Sequence, residues 1–203
     1  LRQSRPTAIE LPLSPAEAYD AAAQAAADAL GGDFAAVLAD SAGGLIVVGE
    51  HDLRPEVRDL PVPEAFADAA HDGQMLAAPR LADDDRFSSE WHQASFSSLL
   101  AIPVRGEQAE LVLVFFDEPH TFSKDDLELA QQVARAARGA FERSRLFDAE
   151  RTARSLAQQL ARTGSLLATE LDPSAVVDAV VAQAVELVRG DAAVLASLDG
   201  RDL

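Results

Sequence analysis

The chain has 203 residues, of which 48% are apolar and 25% charged, a composition typical of a folded domain. Acidic residues number 34 against 17 Lys and Arg, and a net charge of -17 disfavours nucleic acid and anionic membranes as partners. Cysteine is absent, which excludes disulfides, thiolate metal sites and cysteine nucleophiles. No run of apolar residues approaches the roughly 20 needed to span a bilayer, so we expect no membrane segment here and a cytoplasmic location.

The first predicted helix begins at a capping box. Ser14 stands at the N-cap, Pro15 at the first helical position and Glu17 three residues after the cap. An alanine-rich stretch follows and ends at Gly31, because glycine readily takes the left-handed conformation that closes a helix. Residues 1–13 are interpreted as an N-terminal lead-in.

Short strands dominate the next ninety or so residues. The predicted elements are, in order, strands at 34–40 and 45–50, a helix at 63–72, and strands at 75–78, 98–104 and 109–116. The last of these strands is apolar from Leu111 to Phe116, which is typical of a strand covered on both faces. Residues 79–97 have no regular pattern.

A long helix is predicted to begin after Ser123, since no proline follows until Pro173. Its later part carries small or apolar side chains spaced alternately by three and four residues. These positions are Leu146, Ala149, Ala153, Leu156, Leu160, Thr163 and Leu167. Such spacing predicts a coiled-coil seam, and we expect a parallel homodimer through residues 123–169.

The C-terminal residues repeat the first helix and strand. Leu13–Pro15 corresponds to Leu171–Pro173, and Gly32–Asp33 corresponds to Gly190–Asp191. An Ala-Val-Leu-Ala strand, at 36–39 and at 193–196, follows each Gly-Asp pair, with one residue fewer between pair and strand in the second copy. We therefore expect residues 170–203 to be the truncated start of a second copy of the first domain.

Three ordered motifs resemble the GAF domain family over roughly residues 14 to 145. They are Arg86–Phe87 followed by Leu99–Val104, the central strand 111–116, and the helix entry Phe122–Leu129. The resemblance implies an α+β fold: a central six-stranded antiparallel sheet, helices on one face, a ligand cavity on the other, and a long C-terminal signalling helix. The expected organisation is a sensor domain at 14–122, a helix and coiled-coil linker at 123–169, and the second copy at 170–203.

The function implied by this resemblance is sensory and non-catalytic. The module would bind an unidentified small molecule and relay its state through the helix to an output domain outside this sequence, in a bacterial protein of which this is a fragment. The family's cyclic-nucleotide signature is absent, and so are the cysteines of its bilin-binding and methionine sulfoxide reductase members. Nucleophile and phosphate-binding motifs are also missing, so no catalytic residue is predicted.

The resemblance implies that the segment before the fourth main strand closes the ligand cavity. The candidate lining residues are Phe87, Trp91, His92, Phe96, Leu100 and Phe115. Two alternatives remain: a ligand-free dimerisation and relay module whose aromatic side chains fill the cavity, and a haem-based gas or redox sensor that uses His92. No metal site is predicted, since the adjacent carboxylates of Asp83–Asp85 cannot all face one ion.

Overall fold

The computed structural model describes residues 14–169 and 173–188, with side chains described for 14–163 and 177–187. The chain divides into two compact units, Leu1–Asp148 and Ala149–Leu203. The elements are α1 (Pro15–Leu30), β1 (Phe34–Ser41), β2 (Gly44–His51), α2 (Pro55–Arg58), α3 (Glu64–Asp72), β3 (Leu76–Ala78), a 3-10 turn (Leu81–Asp83), α4 (Ser89–His92), β4 (Ser98–Arg105), β5 (Ala109–Phe116), α5 (Lys124–Thr169) and α6 (Pro173–Val188).

The capping box of α1 is confirmed. The backbone N–H of Glu17 donates to Ser14 Oγ at 3.4 Å, and the backbone N–H of Ser14 donates to Glu17 Oε2 at 2.8 Å. At the other end Gly31 takes a left-handed conformation with φ of 68°. The alanines on the inner face are buried, and their small side chains let the helix lie close to the sheet.

The sheet has the strand order β2-β1-β5-β4-β3 and is antiparallel throughout. Each predicted strand is confirmed with boundaries shifted by no more than one residue. The resemblance implied six strands, whereas the described part of the chain forms five. Because β5 is central and pairs with both β1 and β4, a displacement of either neighbouring strand is transmitted to it directly.

Both faces of the sheet are covered, and alternate side chains of β5 enter two separate hydrophobic layers. Val112, Val114 and Phe116 pack with α1 and the first part of α5. Leu111, Leu113 and Phe115 pack on the other face, with α3, α4 and the chain segment between these two helices. The uninterrupted apolar run of β5 is thereby explained, since neither face of this strand meets water.

A close approach between α1 and β2 is made possible by Gly49. A Cβ at this position would overlap the Cβ and backbone of Tyr19, so a side chain here would push α1 away from the sheet. The register of β1 against β2 also shifts between Val37 and Leu38, which marks a β-bulge beside this contact. Tyr19 is thus half-buried against β2.

Two short helices and a 3-10 turn were not predicted. The helix α2 begins at Pro55, a residue with the fixed φ suited to a first helical position. The segment 79–97, predicted to be irregular, contains the 3-10 turn and α4. The predicted helix at 63–72 is confirmed, with Pro63 as its N-cap and Gly73, at φ of 65°, as its C-cap.

The helix α5 begins as predicted, where the backbone N–H of Asp126 donates to Ser123 Oγ at 3.2 Å. Its residues from Ala149 onward belong to the second unit, together with α6. Within the stretches that the structure describes, no helix is long and apolar enough for a bilayer crossing. The lead-in at 1–13 and the strand expected after Gly190 lie outside the described residues.

Candidate functional site

Six aromatic side chains pack together on the face of the sheet opposite α1 and α5. This aromatic cluster consists of Phe34, Phe66, Phe87, Trp91, Phe96 and Phe115, all buried. The Phe34 and Phe115 rings stack with centroids 4.6 Å apart, and Phe96 meets Phe115 edge to face at 4.9 Å. Trp91 makes contacts with Phe66, Phe87 and Phe96 at 5.3 to 5.9 Å.

Polar contacts hold the aromatic cluster in place. The indole N–H of Trp91 donates to the backbone oxygen of Pro61 at 2.7 Å. The guanidinium of Arg54 lies 4.5 Å from the centre of the Phe34 ring, and it also binds the carboxylate of Asp117. The chain segments that carry the cluster are therefore tied to each other as well as packed.

The open ligand cavity implied for this face is not present. The space that remains beside Trp91 and Phe115 has a volume of about 40 Å³. This space is far smaller than the roughly 300–1,000 Å³ usual for a ligand site. The physical reason is that the cluster fills the face with its own rings.

The structure brings four of the six candidate lining residues together, and these are Phe87, Trp91, Phe96 and Phe115. Leu100 is not among them, because it packs on the opposite face with α1 and α5. Successive strand residues point to opposite faces, so Leu99 takes the position in the aromatic layer that had been expected for Leu100. The expectation that Leu100 lines this face is therefore wrong.

His92 ends α4 and is half-buried. Its Nε2 lies 3.0 Å from the backbone oxygen of Asp84, which can only accept, so Nε2 carries the proton and donates. Neither this bonded nitrogen nor the small remaining space suits a haem group. Asp84 is in turn bound by Arg86 Nε at 2.8 Å, and hydrogen bonding from Arg86 lowers the pKa of the Asp84 carboxyl.

A buried polar network, which no sequence pattern predicted, lies on the other face. Glu110, at the start of β5, is only 1% exposed, and its Oε1 is paired with the guanidinium of Arg145 on α5. The hydroxyl of Tyr19 donates to the same oxygen at 2.9 Å and accepts from Arg145 Nη2 at 3.1 Å. Burial raises the pKa of the Tyr19 hydroxyl. The network joins α1, the central strand and α5.

Five of the six predicted seam residues whose side chains the structure describes are solvent-exposed. Leu146, Leu156 and Leu160 are 72%, 44% and 53% exposed. Ala149 and Ala153 are also exposed, and Thr163 is half-buried. The side chain of Leu167 lies outside the described residues. Because these large apolar side chains are exposed, the surface predicted to pair with a second copy is uncovered in the single chain.

The described residues contain no group of three or more His, Asp or Glu side chains that could hold a metal ion. The acidic run 83–85 illustrates why. Asp83 belongs to the 3-10 turn, while Asp84 is occupied by Arg86. Adjacent carboxylates with separate partners do not converge on one point.

Several solved structures share this fold. A domain assigned to a two-component sensor histidine kinase from Sinorhizobium meliloti 1021 matches with a TM-score of 0.55 and 22% identity, covering 71% of this chain and 98% of that one. The blue-light absorbing form of the Thermosynechococcus elongatus PixJ GAF domain matches with 0.55 and 16%, covering 71% and 93%. The type II free methionine-R-sulfoxide reductase of Thermoplasma acidophilum matches with 0.53 and 14%, covering 64% and 96%.

Sequence comparison agrees with the fold. No curated protein matches the chain as a relative. The family model of the GAF domain matches residues 14–141, which takes in the five-stranded sheet, the helices on both faces and the first part of α5. The protein therefore belongs to the GAF domain family.

Proposed function

We propose that the chain is a non-catalytic sensory and regulatory module that acts as a relay between its sheet and its long helix. The observation that carries the proposal is the buried pair of Glu110 and Arg145, which ties the central strand to α5 three residues before the first unit ends at Asp148. A buried carboxylate resists the loss of its charged partner, so movement of β5 and movement of α5 are linked.

The filled aromatic face favours the relay over a small-molecule sensor. Phe115 belongs to the aromatic cluster, and Glu110 lies on the opposite face of the same strand. A change in the packing of the cluster would shift β5 and thereby reach Arg145 without any ligand in the sheet. The small-molecule sensor is the second candidate, and it would require this face to open around the apolar space of about 40 Å³ beside Trp91.

Trp91 tests the relay, because it is the only tryptophan and lies in the aromatic cluster. Arg145→Gln is expected to increase the quenching of Trp91 fluorescence by acrylamide in protein that remains folded by circular dichroism. Arg143→Gln is the matched control, since Arg143 is an exposed residue of the same helix. Unchanged quenching in Arg145→Gln would contradict the relay.

The same fluorescence distinguishes the second candidate. A panel of uncharged aromatic compounds is expected to leave both the emission of Trp91 and the melting temperature of the wild type unchanged, because the face has no room for them. A compound that shifts the emission and raises the melting temperature would favour the small-molecule sensor instead.

Two copies are proposed to pair in parallel through α5, so that movement of one helix changes its position relative to the partner helix. The variant Leu156→Glu with Leu160→Glu is expected to weaken association about a hundredfold or more, since it would bury unpaired charge in the seam. Ser155→Glu with Gln158→Glu adds the same charge at exposed positions off the seam and is expected to associate like the wild type.

Sedimentation equilibrium over a wide range of concentration measures this association. A wild type that stays monomeric at the highest concentration would overturn the proposed pairing. Equal weakening by the two double variants would do so as well, because it would show a general effect of charge in place of a specific seam.

A further inference from the structure

A groove of about 680 Å³ lies beside the edge strand β3, lined also by the end of β4 and the first part of α5. Three of its lining residues are arginines, Arg105, Arg135 and Arg138, and none is acidic. We propose that this arginine groove binds a small organic anion with at least two negative charges, such as a phosphate ester or a polycarboxylate.

Arg105 is fixed in place before any ligand arrives. Its Nη2 donates to the backbone oxygens of Asp72 and Gly73 at 3.1 and 3.0 Å. Its guanidinium also lies against Gly73 so closely that a Cβ there would overlap Nε. A guanidinium has five N–H donors, so the Nε and Nη1 donors remain for an oxyanion. A group already held in position loses little conformational entropy on binding.

Arg135 and Arg138 lie three residues apart on α5 and reach the groove from the same face of the helix. Arg138 Nε donates to Glu142 Oε1 at 2.7 Å, which leaves its two terminal nitrogens free of that pair. Among the described residues the side chain of Arg135 has neither an ion pair nor a hydrogen-bond partner. Three guanidiniums therefore line the groove, and one of them is also paired with Glu142.

The rest of the protein determines what kind of anion suits this groove. The net charge of -17 opposes a long polyanion, which would run past the groove onto the acidic surface. A small anion responds mainly to charges within about 8–10 Å, because salt screens the others. Planar guanidiniums match the paired oxygens of phosphate and carboxylate groups.

The groove also offers apolar contact. Met75, Pro103 and Leu127 line it beside the arginines. Its volume lies within the roughly 300–1,000 Å³ usual for small-molecule sites. The expected ligand is therefore a small organic molecule that carries oxyanion groups, and not an inorganic ion.

Calorimetric titration of the full chain tests this site with adenosine monophosphate, citrate and the uncharged adenosine. The wild type is expected to bind adenosine monophosphate or citrate with a Kd of about a millimolar or tighter, and adenosine far more weakly. Arg135→Gln is expected to weaken binding about tenfold or more, since it removes a charge-assisted contact. It should leave the fold intact, because Arg135 has no partner in the described part of the protein.

The matched control is Arg151→Gln, which removes an exposed arginine of the same helix outside the groove. This variant is expected to bind like the wild type. A preference for the monophosphate or for citrate would assign the ligand to phosphate esters or polycarboxylates. The proposal is overturned if neither anion binds, if adenosine binds as tightly as its monophosphate, or if Arg135→Gln and Arg151→Gln lose affinity equally.

Discussion

Arg145→Met is expected to lower the free energy of unfolding by about 3–5 kcal/mol, because it leaves a charged carboxylate buried without its partner. The residue left without its charged partner is Glu110, which is 1% exposed and therefore not hydrated. The hydroxyl of Tyr19 would remain as a hydrogen-bond donor to it. Urea unfolding followed by circular dichroism measures the change.

Replacing the other partner is expected to cost less. Arg145 is 23% exposed, so in Glu110→Gln its guanidinium can turn toward water, while the new amide oxygen still accepts from Tyr19. The double variant Glu110→Gln with Arg145→Met is expected to recover most of the stability lost in Arg145→Met, since no unpaired buried charge remains. A double variant as unstable as Arg145→Met would show that packing, and not charge, explains the effect.

Phe115→Ala is expected to lower the free energy of unfolding by about 3–5 kcal/mol, the usual cost of removing a buried phenyl ring. Phe115 stacks on Phe34 and meets Phe96 edge to face, so one substitution removes contacts with both rings. The void it leaves adjoins the existing space of about 40 Å³. Phe115→Leu keeps most of the volume and is expected to cost about 1.5 kcal/mol or less.

The enlarged void supplies a second test of Phe115→Ala. A dry apolar cavity of this kind accepts a small aromatic guest, so benzene is expected to raise the melting temperature of this variant. At a hundred times the Kd, the stabilisation is about 2.7 kcal/mol. The wild type and Phe115→Leu are expected to show no shift, and a shift in all three would point to binding elsewhere.

Local signals in the sequence predicted most of the fold. The capping box at Ser14 and the glycines after α1 and α3 mark element ends that depend on neighbouring residues only. The all-apolar strand 111–116 predicted cover on two faces, which the structure confirms. Short helices such as α2 were missed because a single turn has too few residues to show helical periodicity.

The site was harder to predict because it depends on contacts between distant residues. Glu110 follows a turn and looks like a surface residue, yet its partners are 91 and 35 positions away. Leu99 and Leu100 are alike in sequence, so only the strand register decides which one faces the aromatic cluster. Closure of the cavity depends on ring volumes from several elements, among them Phe34 and Phe66, which no local pattern singles out.

The carboxyl end of α3 has a further consequence, because this helix carries Phe66 of the aromatic cluster while its last carbonyls hold Arg105 of the arginine groove. An anion bound to the free Nε and Nη1 donors of Arg105 would partly neutralise the positive charge that this side chain places at the negative end of the helix dipole. Linkage then requires reciprocity: if the anion loosens the cluster, loosening the cluster strengthens anion binding by the same factor. Phe115→Ala would in that case bind the anion more tightly than the wild type.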